Sequence, residues 1–71
     1  MKTGTARQGM RVRIIGNHNS HGFRIGQVIT LGAKTQYFAN NYGYSFLAPS
    51  ELGAVFCVRE IDMAPVGATL V

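Results

Sequence analysis

No stretch of eleven or more residues in this 71-residue chain has a 3.6-residue apolar period that survives its glycines, and the one long glycine-free run, Ala54–Val66, alternates in period two and carries Pro65. The fold must therefore be assembled from short extended segments joined by tight turns. At this length an open sheet would leave long unpaired edges, so the strands are expected to close on themselves. The expected class is all-β, a small barrel of four to five short antiparallel strands.

The strands can be placed from the residues. Met10, Val12 and Ile14 alternate with Arg11 and Arg13, the period-two pattern of a half-buried strand whose arginines face outward. Gly16 to Gly22 is a dense run of turn formers, Gly-Asn-His-Asn-Ser-His-Gly, and must loop. A second strand is expected over Gln27–Leu31, with a kink or bulge at Gly26. After a turn at Gly32–Thr35, a short strand is expected at Gln36–Ala39. Tyr42, Tyr44 and Phe46 stand two apart and would form an aromatic ladder on one side of an extended segment. Pro49–Gly53 reads as a turn, Ala54–Arg59 as a strand, and Glu60–Met63 as one short helical turn, with extension resuming at Ala64–Val66. The organisation expected is a flexible basic arm at residues 1–8, one domain at 9–66 and a frayed tail at 67–71.

Composition narrows the class further. Hydrophobic residues make up 46% and charged residues 14%, too apolar for a disordered chain and too interrupted for a membrane span. Cys57 is the only cysteine, so an internal disulfide is excluded, and no apolar segment of a secretory leader follows Met1 and Lys2. A reducing cytoplasm, no membrane and a monomeric state are the expectations.

The net charge is +4, and it is unevenly distributed. Residues 1–34 hold Lys2, Arg7, Arg11, Arg13, Arg24 and Lys34 with no acid, whereas residues 35–71 set Arg59 against Glu51, Glu60 and Asp62. A basic half gains Coulomb attraction and faster encounter from either nucleic acid or an acidic protein surface.

Chemistry is sparse. His18 and His21 have H-x-x-H spacing, but zinc needs further ligands held nearby, and Cys57 and three scattered acids are the only candidates. We read the pair as two exposed loop imidazoles, and expect no metal and no cofactor. Gly22 and Gly26 lack the strand, turn and helix of a phosphate loop. Cys57, between apolar neighbours, reads as an inert buried thiol, and three acids near one chain end do not build a catalytic triad. No enzymatic activity is expected. Tyr37, Tyr42, Tyr44 and Phe46 could stack on bases beside a basic groove, although a barrel this small needs most of that aromatic surface for its core.

The run Gly9-Met10-Arg11-Val12-Arg13-Ile14-Ile15-Gly16, followed by Gly22-Phe23-Arg24-Ile25-Gly26-Gln27-Val28-Ile29-Thr30-Leu31, resembles the opening of small SH3-like barrels, KOW modules among them. The segment Phe56–Val66 resembles their closing strands, with a short helical turn before the last one. Together these cover residues 9–66. In style the V-R-I-I-G-N opening and the later H-G-F-R-I-G are similar to small tailed-phage proteins, and the chain resembles the transcription regulators of Xanthomonas bacteriophages that bind host RNA polymerase. This resemblance implies a non-enzymatic protein in the infected bacterial cytoplasm. It would contact the large subunits of host RNA polymerase, displace the σ factor to inhibit initiation, and also act in antitermination. The alternative is a KOW-type nucleic-acid-binding module, with nucleic acid otherwise a secondary partner.

Under either reading the candidate partner-binding residues are Arg7, Arg11, Arg13 and Arg24, because the planar guanidinium bonds carboxylates bidentately at low desolvation cost. His18, His21 and Phe23 are second-rank candidates, with Phe23 expected in the core.

Overall fold

The computed structural model describes residues 4–18, 20–39 and 42–66. Its strands are β1 (Arg11–Ile14), β2 (Val28–Thr30), β3 (Lys34–Ala39), β4 (Gly43–Pro49), β5 (Val55–Arg59) and β6 (Met63–Pro65), with a 3-10 turn at Glu60–Asp62 between the last two. They form two three-stranded antiparallel sheets, ordered β2-β1-β6 and β3-β4-β5. The chain's last strand lies beside its first, with Ile14 opposite Met63 and Val12 opposite Pro65. The chain passes from one sheet to the other through residues 31–33, between β2 and β3. The Gly32 N–H donates to the Leu47 carbonyl at 2.6 Å, and the Leu47 N–H to the Ala33 carbonyl at 2.9 Å. Six short strands thus make a small all-β, barrel-like fold, one strand more than the four to five expected.

Alternation decides what goes inside. In β1, Val12 and Ile14 are buried and Arg11 and Arg13 exposed. In β4, Phe46 and Ala48 point inward and Leu47 and Pro49 outward. With Phe23, Ile29, Leu31, Val58 and Met63 these residues form one core drawn from both sheets and the loop between β1 and β2. Each large apolar side chain buried there contributes about 1.5–3 kcal/mol, which a domain of this size needs.

Three expectations change. Residues 4–8, read from the sequence as part of a flexible arm, are held against the domain. The N–H groups of Gly4 and Ala6 donate to the Glu60 carboxylate at 3.0 and 3.1 Å, and Ala6 packs on the core. The turn that includes Gly26 lies before β2 rather than kinking it: the Gln27 N–H donates to the Arg24 carbonyl at 3.0 Å. Cys57, expected to be a buried thiol, is exposed, because in β5 the alternation turns Phe56 and Val58 inward and Val55 and Cys57 outward. The tail expected at residues 67–71, the first three residues of the arm, the Asn40–Asn41 turn and the side chains of Tyr37 and Phe38 lie outside the described residues.

Candidate functional site

The exposed arginines gather around β1. Arg11 and Arg13 stand on the outer face of the β2-β1-β6 sheet, where Arg11 opposes Thr30 and Arg13 opposes Val28 and Ala64. The Arg13 Nη1–H donates to the Gly26 carbonyl at 3.1 Å, which fixes the guanidinium against the turn carrying Arg24. Arg24 and the exposed Ile25 line an open depression of about 280 Å³ together with Gly26 and Gln27. Arg7 is exposed in the turn that leads into β1, where its carbonyl accepts the Met10 N–H at 3.1 Å.

The two acids nearest the chain end are not on the surface. Glu60 is 1% exposed and Asp62 0% exposed, and each carboxylate is satisfied from distant parts of the chain. Glu60 Oε1 accepts the Tyr44 N–H at 2.8 Å, while its Oε2 accepts the N–H groups of Gly4 and Ala6. Asp62 Oδ2 accepts the His18 N–H at 2.8 Å, and Oδ1 accepts from His18 Nδ1. Of the three acids Glu51 alone is exposed, so the outward-facing charge is more one-sided than the net charge indicates. Sequence reasoning missed this, since nothing local to Glu60 or Asp62 marks them as buried.

The histidines divide. His21, expected to be an exposed imidazole and a contact residue, is buried in its own loop. Its Nε2–H donates to the Gly16 carbonyl at 2.7 Å, and its Nδ1 accepts the Phe23 N–H at 3.2 Å. The Asn17 side chain closes the same loop, donating to the His21 carbonyl at 3.0 Å and accepting the His21 N–H at 2.9 Å. His18 is exposed but joined to Asp62 and, 5.4 Å between ring centroids, to Tyr42. Among the described residues no group of three His, Cys, Asp or Glu side chains is placed to hold a metal ion. Thus Arg11 and Arg13 share one strand face, Arg24 lies in the turn that Arg13 meets, Arg7 lies in the turn before β1, His18 belongs to a separate cluster and His21 to the interior.

The aromatic ladder does not form as one stack. Phe46 is in the core, Tyr44 is half-buried with Lys34 Nζ 4.4 Å from its ring centroid, and Tyr42 lies beyond the strand with Arg59 5.0 Å from its ring. Gly43 has φ +75°, a conformation outside the extended region, so the two-residue period breaks between Tyr42 and Tyr44.

The loop's close approach to Asp62 depends on Gly16, where a Cβ would stand 2.6 Å from Asp62 Oδ1. Gly16→Ala is expected to cost about 1–3 kcal/mol by forcing the loop off the carboxylate. Urea denaturation measures the loss, and the His18 amide should lose hydrogen-exchange protection alongside it.

No protein-family model, no curated protein and no solved structure matches this chain. Fold and site define a small all-β barrel that presents exposed arginines on the outer face of one sheet and buries two of its three acids. Among the described residues no helix is long and apolar enough to cross a membrane.

Proposed function

We propose that this protein is a non-enzymatic bacteriophage regulator that acts in the cytoplasm of the infected bacterium. It binds the large subunits of host RNA polymerase, inhibits initiation by displacing the σ factor, and takes part in antitermination. The observation that carries the reading is the cationic face: Arg11 and Arg13 project from one sheet beside Arg24 and the exposed Ile25, with Glu60 and Asp62 withdrawn into the interior. An acidic protein surface offers carboxylates to the guanidinium forks and an apolar side chain to Ile25. A single interface of about 800 Å² per partner fits on a molecular surface of 4628 Å². The resemblance of the runs Val12–Asn17 and His21–Gly26, with the small size and the basic amino-terminal half, to phage regulators supplies the identity of the partner.

A KOW-type nucleic-acid-binding module is the second reading, favoured by the same cations on an extended strand. It is weakened because, among the described side chains, Phe46 is in the core while Tyr42 and Tyr44 are each engaged by a cation rather than presented together as a stacking platform.

Arg11→Ala combined with Arg13→Ala tests the proposal. Both side chains face solvent, so circular dichroism and thermal melting should show a folded domain within about 1 kcal/mol of wild type. Binding to purified bacterial RNA polymerase should weaken at least about tenfold, the scale of losing interfacial arginines. An unchanged affinity would remove the arginine face from the interface.

A further inference from the structure

We propose that His18, Tyr42 and Arg59 form a second recognition site, which takes a single carboxylate from an acidic segment of a protein partner. Three separate elements build it: His18 comes from the loop after β1, Tyr42 from the residue before β4, and Arg59 from the end of β5. The Arg59 carbon Cζ lies 5.0 Å from the centroid of the Tyr42 ring, so the guanidinium is held over an aromatic surface. No acid among the described residues is ion-paired to it; the one ion pair there joins His18 to Asp62.

His18 is oriented by a carboxylate with no exposure of its own. Asp62 takes both the backbone N–H and the Nδ1–H of His18, which fixes the ring as a wall of the site, while the hydrogen bonds to a bound carboxylate come from the Arg59 guanidinium. The side chain of His18 is 46% exposed and Tyr42 37% exposed, so a ligand can reach the cluster. A guanidinium lying over an aromatic ring beside a fixed imidazole suits a small planar anion, for which Arg supplies two parallel N–H donors. A nucleobase is disfavoured, because the Tyr42 ring on which it would stack is already engaged by Arg59 and His18. The site deepens the protein-partner reading and rests on it, adding a contact apart from Arg11 and Arg13.

The test is an NMR titration of the full isotope-labelled chain with a capped tetraglutamate peptide, run in parallel with inorganic phosphate and with a short single-stranded RNA. The expected result is peptide-induced shifts at the Arg59 side-chain N–H, the His18 ring and the Tyr42 ring. Arg59→Lys, which keeps the charge but loses the planar fork, should bind about fivefold more weakly, the size an exposed charge pair supports. The Arg11→Ala, Arg13→Ala double variant should retain the shifts at this cluster. Peptide shifts absent from the cluster, an Arg59→Lys affinity equal to wild type, or a response there to phosphate or RNA but not to peptide would each overturn the proposal. Failure of the polymerase reading registers separately, as an unaltered polymerase affinity in the Arg11, Arg13 double variant.

Discussion

Glu60→Ala is expected to destabilise the protein by about 2–4 kcal/mol and to release residues 4–8 from the barrel. The carboxylate accepts from the N–H groups of Gly4, Ala6 and Tyr44, joining the start of the chain, the first residues of β4 and the 3-10 turn. Hydrogen bonds to an ionised acceptor contribute about 1.5–3 kcal/mol, and a buried donor left without one bears its desolvation cost in full. Residues 4–8 can hydrate once released, which limits the loss there, but the Tyr44 amide lies at the start of β4. A domain of this size has a total stability of roughly 4–10 kcal/mol, so the variant would stand near its unfolding threshold at 37 °C. Urea denaturation gives the change in free energy. Hydrogen exchange should show the Gly4 and Ala6 amides unprotected even where β1 remains protected. Glu60→Gln should fall between the two, because one of its amide termini is a donor facing donors.

Val12→Asp is expected to abolish the folded state at 25 °C, with loss of the β-sheet circular dichroism signal. Val12 has no exposure and sits between Ile29 of β2 and Pro65 of β6. A carboxylate there would lie in an apolar core with no donor to receive it, a penalty that exceeds the few kcal/mol holding so small a domain together. A folded Val12→Asp protein would mean that β1 is displaced by one residue, which would turn Arg11 and Arg13 inward.

What the sequence discloses and what it hides follow from the range of the signals. The face of β1 is legible because period-two alternation is local: Val12 and Ile14 must share a side whatever the rest of the chain does. The 3-10 turn at Glu60–Asp62 is legible for the same reason, from Pro65 and the short span available. The burial of Glu60 and Asp62 is not, since their partners Gly4, Ala6 and His18 are 44 to 56 residues away in the chain. Acids normally mark a surface, and only the closed barrel brings backbone N–H groups to these two. His21 misleads similarly: a loop of turn formers looks solvated, yet its bonds to the Gly16 carbonyl and the Phe23 N–H fold the ring inward. Tyr42 leaves the expected ladder through the backbone of one residue, Gly43. The candidate arginine face was thus readable from alternation and charge, while the His18, Tyr42 and Arg59 cluster needed the fold.

The central claim, that the arginine face meets a protein, is tested most directly by a heteronuclear NMR titration of the labelled chain. One series uses purified bacterial RNA polymerase and the other a short DNA or RNA duplex. The account predicts that resonances of residues 7–24 broaden with polymerase at physiological salt and stay in place with the duplex. Shifts at those residues with the duplex alone, weakening steeply as salt rises, would contradict it and assign the face to nucleic acid.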